Sequence, residues 1–100
     1  MGDINESNRR IHATVFESIK HIDDYGNEYW YARELMQALE YRKWGNFVKV
    51  IEKAKLACEL SENITTDHFA DLSKMVSIGS NAQRKQDDYK LSRYACYLII

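Results

Sequence analysis

A chain of 100 residues with 45% hydrophobic and 29% charged residues has the composition of one soluble globular domain, and it is too short to build a second core. The formal net charge of -1 excludes a polycation of the histone-arm kind, so a nucleic-acid site must be a local cluster of basic residues. The sequence has no run of 18 apolar residues and no basic, apolar leader, which predicts a cytoplasmic protein without a membrane segment.

The cysteines and histidines do not have the spacing of a metal or catalytic site. Cys58 and Cys96 lie far apart without a Cys-x-x-Cys pattern, so we expect reduced, buried thiols, with a disulfide as the alternative. His12, His21 and His68 lack metal-ligand spacing with either cysteine, and the sequence has no nucleophile-elbow or phosphate-binding glycine motif. The sequence therefore predicts that the protein is not an enzyme and holds no metal or cofactor.

The N-terminal part predicts one helix followed by a short hairpin. Ile11, Val15 and Ile19, with neighbouring Phe16, have helical spacing, with Asn5 or Ser7 as the cap and an end near Lys20. A dense turn signal at 21–28 then separates Ile22 from the aromatic run 29–31, which is typical of two short strands.

Two apolar stripes at helical spacing follow and predict a pair of amphipathic helices. Residues 40–45 separate the helices, and Asn46 is positioned to cap the second one. Such a short joint is typical of a helix-turn-helix. The two stripes comprise Ala32, Leu35, Met36 and Leu39, and then Phe47, Val50, Ile51, Ala54 and Cys58.

The last third predicts a second hairpin and a final helix. Thr65 or Thr66 can cap a brief turn that includes Phe69. From Leu72 the pattern fits either a helix or a strand, and the strand is favoured because a turn at 78–82 precedes an apparent return strand at 89–91. Ser92 is expected to cap a helix over 93–100. The fold class is thus α+β, a helix-turn-helix-like pair flanked by short β-hairpins, with N-terminal and C-terminal helices.

Several conspicuous side chains are assigned to the fold. Trp30, Tyr31, Trp44 and Phe47 are of the residue type that stacks on unpaired bases. Trp30 and Phe47 are nevertheless expected in the core, whereas Trp44, placed in a cationic turn, is either a core residue or a stacking platform for bases. Arg33 and Arg93 lie near helix starts, where they can tie carboxylates or carbonyls together. The adjacent acids Asp23-Asp24 and Asp87-Asp88 stand beside predicted turns and are expected to serve those turns.

The chain ends on an apolar segment without a polar tail, which predicts a piece of a longer protein. Leu98, Ile99 and Ile100 would leave apolar surface uncovered, so we expect the chain to form a homodimer or larger species in sedimentation.

Particular segments resemble the N-terminal part of the DNA-damage-inducible protein D family. The resemblance covers roughly residues 16–100, so residues 1–15 are interpreted as an extension that includes the start of the first helix. The segments that carry it are Phe16 to Lys20, Gly26 to Arg33, Leu39 to Tyr41, Trp44 to Ala54, Ile78 to Arg84 and Leu91 to Leu98.

This family in turn resembles BRO-N and phage antirepressor domains, whose helix pair is associated with DNA binding. The resemblance implies a role in the bacterial SOS response or in phage-derived regulation, and family members are implicated in modulating a recombinase filament on single-stranded DNA. Many relatives have glycine where this chain has Glu40, so the turn there is either strained or different.

A local excess of basic residues marks the candidate nucleic-acid site. From 42 to 55 the chain has five basic residues against one acid, Glu52, and a cationic helix after a tight turn can lie against a phosphate backbone. A basic pair at the tip of the second hairpin can straddle a groove. The candidate nucleic-acid-binding residues are Arg42, Lys43, Trp44, Lys49, Lys53, Arg84 and Lys85, with single-stranded or double-stranded DNA as the partner.

The alternative is a protein-interaction module that regulates a recombinase filament or a phage repressor. An acidic run directly follows the basic stretch and offers a second docking face: Glu59, Glu62, Asp67 and Asp71. Because one fold supports both functions, the fold alone does not choose between them.

Overall fold

The computed structural model describes residues 12–100 and confirms an α+β fold. Of the N-terminal predictions, the cap at Asn5 or Ser7 and the contribution of Ile11 lie outside the described residues. The elements in chain order are α1 Ala13–Ser18, β1 His21–Ile22, β2 Glu28–Tyr31, α2 Ala32–Ala38, α3 Trp44–Leu60, α4 Thr65–His68, β3 Phe69–Gly79, β4 Ala82–Leu91 and α5 Arg93–Ile99.

The strands form one antiparallel sheet in the order β1-β2-β4-β3. The predicted first hairpin is confirmed, and Asp23 serves its turn as expected. The Asp23 carboxylate accepts hydrogen bonds from the backbone N–H groups of Tyr25 at 2.9 Å and Asn27 at 2.8 Å, and Gly26 supplies a positive φ of 85°. These backbone donors, Asn27 foremost, lower the pKa of the Asp23 carboxyl.

Helices pack against one side of this sheet, and the core lies between them. Trp30 is fully buried, stacks on Phe16 at 4.4 Å between ring centroids, and donates from Nε1 to the Phe16 carbonyl at 2.8 Å. Both predicted helical stripes point into this core. The buried apolar residues are Phe16, Trp30, Ala32, Leu35, Phe47, Ile51, Ala54, Cys58, Phe69, Leu91, Ala95 and Cys96.

The helix pair is confirmed, but the predicted cap of its second helix is wrong. α3 begins at Trp44, and the N–H of Phe47 already donates to the Lys43 carbonyl at 3.1 Å. Asn46 therefore lies inside the first helical turn, where its side chain cannot act as the N-cap; that position belongs to Lys43, which has no capping side-chain bond.

The turn that ends α2 resolves the question raised by Glu40. The Tyr41 N–H donates to the Met36 carbonyl and the Glu40 N–H to the Gln37 carbonyl, each at 3.0 Å, which is the Schellman pattern. Glu40 occupies its left-handed position with φ of 66°. The chain thus keeps the turn that glycine favours and places a glutamate in it.

The second hairpin is confirmed and is much longer than predicted. β3 and β4 pair from Phe69↔Leu91 to Gly79↔Ala82, with an irregularity between Ser77 and Gly79. The interpretation of Asp87-Asp88 as turn residues is wrong, because both lie far from the tip, within β4, and Asp88 is buried. The predicted cap by Thr65 or Thr66 is also wrong, since Ile64 occupies the N-cap of α4 without a side-chain bond.

The C-terminal helix has the predicted cap, with Ser92 Oγ accepting from the Ala95 N–H at 3.0 Å. Cys58 and Cys96 are buried free thiols, and burial raises the pKa of Cys96 to about 12.

The last apolar residues, Leu98, Ile99 and Ile100, are half-buried against the core. The structure thus weakens the reason given for self-association, which stays a prediction. Within residues 12–100, no helix is long and apolar enough to cross a membrane.

Candidate nucleic-acid interface

The predicted basic side chains of the α2–α3 turn and of α3 are all exposed. Arg42 and Lys43 precede α3, and Lys49 and Lys53 lie one turn apart on it. At about 100° per residue, Lys49 and Lys53 point away from the buried stripe, which runs from Phe47 to Cys58. The structure therefore brings Lys49 and Lys53 together on the solvent side of α3, directly after the basic turn.

Trp44 is mainly a packing residue. Its ring is half-buried, the Arg33 guanidinium lies 4.0 Å from its centroid, and the rings of Phe47 and Tyr89 lie at 6.3 Å. A cation over one face leaves less of the indole open to a base. This packing favours the core interpretation of Trp44, and its contact with nucleic acid stays a prediction.

Arg84 and Lys85 occupy a different part of the molecule. Both are exposed near the tip of the hairpin, where they pair with Val76 and Met75 and point to opposite faces of the ladder. The hairpin meets α3 at its base, where the Tyr89 ring lies beside Trp44. Arg84 lies five residues beyond that point, about 16 Å at 3.3 Å per residue. The two groups of cations are thus separate features.

A buried carboxylate at the base of the hairpin was missed by sequence reasoning. Asp88 Oδ1 accepts from the backbone N–H of Arg33 at 3.0 Å and of Tyr89 at 2.8 Å, and Lys74 Nζ lies 3.4 Å from Oδ2. Asp88 therefore supplies a hydrogen-bond acceptor to the first turn of α2 from 55 residues away. No local pattern indicates this role, because the capping partners come from another element.

Asp88 also lines a shallow pocket between α3 and the hairpin, together with Trp44, Val48, Asp71, Leu72, Asp87 and Tyr89. In the part of the chain that the structure describes, no group of three or more histidine, cysteine, aspartate or glutamate residues has the geometry of a metal site. The carboxylates of this pocket instead place negative charge beside Trp44, on the side of the helix away from Lys49 and Lys53.

Arg33 and Arg93 have the structural roles that their positions suggest. Arg93 binds Glu28 with Nε–Oε2 at 2.6 Å and Nη2–Oε1 at 2.9 Å, and its Nη1 lies 3.1 Å from Glu17 Oε2. These bonds lower the pKa of the Glu28 and Glu17 carboxyls. Arg33 donates from Nε to the Asp87 carbonyl at 2.7 Å. Both arginines join separate elements of the fold.

A cluster of aromatic rings on the sheet was also missed. His21, Tyr29 and Tyr31 lie with ring centroids between 4.8 and 5.4 Å apart, and the lysines Lys74 and Lys90 lie over the two tyrosine rings. The sequence contains a signal for part of this cluster. Side chains alternate along β2, so Tyr29 and Tyr31 share one face of the sheet and buried Trp30 lies on the other.

Comparison with known proteins agrees with the resemblance drawn from the motifs. Residues 18–100 match the family described as BRO family, N-terminal domain. The chain belongs to this family. This BRO-N chain is 47% identical over 89 residues to DNA damage-inducible protein D of Escherichia coli (strain K12), which covers 89% of the chain and 32% of the relative. The chain thus spans about a third of the length of the curated relative it matches. No solved structure matches the chain.

Proposed function

We propose that this BRO-N chain is the nucleic-acid-binding module of a damage-inducible, antirepressor-like bacterial protein. Arg42, Lys43, Lys49 and Lys53 contact phosphates in this proposal, with Arg84 and Lys85 as outlying contacts. The family and the name of the E. coli relative support the setting, since that name describes a protein induced by DNA damage. A cytoplasmic location follows from the same proposal, because its ligand is bacterial DNA.

The observation that carries the proposal is a contrast between two sets of cations. Lys20, Lys55, Lys74 and Arg93 have carboxylate partners within 4.0 Å. Within residues 12–100, Arg42, Lys43, Lys49 and Lys53 are absent from these ion pairs. Their charges are therefore available to a polyanion, and neutralising phosphates releases counterions, which drives binding.

The test compares two double variants that each remove two lysines. Lys49→Ala with Lys53→Ala removes the proposed contacts, whereas Lys20→Ala with Lys55→Ala removes two lysines that pair with glutamates in the fold. Binding of labelled duplex and single-stranded DNA is followed by fluorescence anisotropy over a series of salt concentrations. Each lost phosphate contact should flatten the slope of log K against log salt by about 0.7 to 0.9.

We expect the Lys49/Lys53 variant to bind more weakly, with a slope flattened by about 1.4 to 1.8, which is two contacts. The Lys20/Lys55 variant should bind nearly as wild type, because Lys20 lies outside α3 and Lys55, although on α3, pairs with Glu52 and lies over the Tyr89 ring, away from the face of Lys49 and Lys53. Equal weakening in both variants would mean that only net charge matters, and it would contradict a defined site. Full binding by the Lys49/Lys53 variant would contradict the role of α3.

A second candidate function, a protein-interaction module, rests on the other end of α3. Leu56, Leu60 and Ile64 are 54%, 75% and 65% exposed and stand beside Glu59 and Glu62. An exposed apolar group with an acidic rim suits a basic, amphipathic protein segment, such as one from a recombinase or a phage repressor. Loss of partner binding on Leu60→Ser, with DNA binding unchanged, would favour this candidate.

A further inference from the structure

The open face of the sheet, opposite the helical core, has a surface of its own. Trp30 in β2 is fully buried towards the core, so Tyr29 and Tyr31 project from the other face. His21 of β1 stands opposite Tyr29 and lies nearly parallel to its ring, at 5.4 Å between centroids. The Tyr31 ring is nearly perpendicular to the Tyr29 ring at 5.4 Å. All three residues are half-buried, and each therefore keeps part of its surface in contact with solvent.

Cations lie on the same face and point at these rings. Lys74 Nζ is 4.1 Å from the Tyr31 centroid, and Lys90 Nζ is 4.7 Å from the Tyr29 centroid. Arg84 shares the parity of Lys90 along β4 and stands on this face as well, opposite Val76. Basic groups thus continue from the aromatic cluster towards the tip of the hairpin.

Acidic groups near the cluster are already engaged. Glu34 Oε1 lies 2.8 Å from His21 Nε2, and buried Asp88 lies 3.4 Å from the Lys74 ammonium. Lys90 and Arg84 are both exposed, and within the described residues neither belongs to an ion pair. Asp23 lies near enough for the charge of Lys90 to help lower the Asp23 pKa, but its carboxylate is engaged by the backbone N–H groups of Tyr25 and Asn27. The face therefore combines half-exposed rings with two basic groups that form no ion pair in the described part of the chain.

We propose that this face binds unpaired bases of a single-stranded nucleic acid. One base stacks on Tyr29 and a second on Tyr31, while Lys90 contacts the phosphate that connects them. Arg84, about 20 Å further along β4, contacts a phosphate of a more distant nucleotide of the same strand. Aromatic platforms beside a cationic track are the chemistry by which single strands are held, and every base offers a π-face to such rings.

The lysines over the rings mark the faces that a base can reach. A cation–π contact at an exposed site is weak, and the lysine stem is flexible, so a base can replace the ammonium at little cost. The displaced ammonium then lies close to the phosphate of that nucleotide. Lys90 is the easier of the two to displace, because Lys74 is also held by Asp88. Tyr29 is accordingly the stronger stacking position.

This site is distinct from the cationic turn and α3 in both place and chemistry. The α3 cations contact phosphates, which single strands, duplexes and strands without bases all carry. The sheet face instead requires bases that are free of pairing. A strand that lacks its bases therefore separates the two surfaces.

The experiment measures binding of the 100-residue chain to an oligo-dT of about 12 nucleotides and to an abasic strand of the same length and charge. Tyr29→Leu with Tyr31→Leu removes the rings, and Tyr29→Phe with Tyr31→Phe keeps them as the matched control. Circular dichroism and sedimentation are recorded for each variant. A halogenated uridine in the strand, photo-cross-linked and analysed by mass spectrometry, provides a readout that needs no variant.

We expect wild type to bind oligo-dT at least about 30-fold more tightly than the abasic strand, the lower bound given by two stacked bases. The phenylalanine pair should keep this ratio and the leucine pair should lose it. Lys49→Ala with Lys53→Ala should weaken binding of both strands equally and leave the ratio of their affinities unchanged. A failure of the proposed function of α3 can therefore be distinguished from a failure of the sheet face to bind bases. Cross-links should fall on Tyr29 or Tyr31.

Equal binding of the two strands by wild type would overturn the proposal, as would a leucine variant that keeps the preference for dT. Cross-links confined to other residues would overturn it even if the leucine pair does not fold. A leucine pair that changes only the sedimentation of the chain would assign the face to contact between copies and would equally reject a base-binding role.

Discussion

The two halves of the β3–β4 hairpin share one continuous ladder, yet they differ completely in burial. The inner half, residues 69–73 and 87–91, places Phe69, Asp88 and Leu91 in the interior. The outer half, residues 74–86, is exposed on both faces except for half-buried Val76 and Gln86. The buried residues of the inner half are therefore set by packing, whereas exposed Lys90 and the side chains of the outer half are free to meet a partner.

The cations of the molecule also divide into two groups, although Lys74, which lies in the outer half, belongs to the group held by the fold. Arg93 and Lys74 are held by carboxylates of the fold, while Lys49, Lys53 and Arg84 point into solvent. The comparison teaches that the candidate basic residues occupy exposed positions that the fold does not use for packing. Changes there should alter binding and leave stability nearly intact, and changes at the buried positions of the inner half should do the reverse.

The largest expected effect comes from truncating matched aliphatic residues in the two halves. Leu91→Ala removes a side chain that is 0% exposed and should lower the free energy of unfolding by about 2 to 5 kcal/mol. Ile78→Ala, at a position 57% exposed near the tip, should change it by less than about 0.5 kcal/mol. Urea denaturation measures both, and similar losses would remove the distinction between the halves.

A polar pair sharpens the comparison within the inner half. Asp88→Ala leaves the backbone N–H groups of Arg33 and Tyr89 without their acceptor and the Lys74 ammonium without its ion-pair partner, so it should destabilise by about 1 to 3 kcal/mol. Asp87→Ala is the control, because the Asp87 side chain is exposed and only its backbone carbonyl is used. If the two variants have the same stability in thermal unfolding, the Asp88 side chain does not stabilise the contact between α2 and the hairpin.

The smallest expected effect is a gain in stability, and it tests whether an exposed residue is constrained by the backbone conformation of the fold. Glu40 is exposed, but its φ of 66° is the left-handed conformation, which costs an L-residue about 1 to 2 kcal/mol. Glu40→Gly should stabilise by about 0.5 to 1 kcal/mol, after the higher entropy of glycine in the unfolded chain is subtracted. Glu40→Ala removes the same carboxylate without relieving the backbone and should give no gain in Tm.

Much of the helical part of the fold was predictable because its signals are local. Ala32, Leu35, Phe47 and Ile51 repeat at helical spacing, and their burial follows from that spacing. Ser92 likewise caps the helix that begins next to it. The Asn46 cap was wrong because a capping residue is also tolerated inside a first turn, so its identity does not fix where the helix begins.

The features that the sequence did not predict correctly depend on contacts between elements, which no local pattern indicates. The hairpin was predicted too short because the outer strands have no buried face, so hydrophobic alternation is absent there. Asp88 was misassigned because its partners, Arg33 and Lys74, come from other elements. Of the candidate site, the solvent-facing pair Lys49 and Lys53 followed from spacing, whereas the cluster around Tyr29 needed the strand register that brings Lys90 to it.

The central claim is that the basic turn and α3 contact nucleic acid. Its most direct test is a titration of the isotope-labelled chain with a mixed-sequence DNA duplex, followed by backbone amide NMR. Phosphate contacts should shift the amides of residues 42–53 in a manner that salt suppresses, and should leave those around Leu60 and Ile64 unchanged. Shifts confined to the surface around Leu60 and Ile64, or no shifts at low salt, would contradict the account.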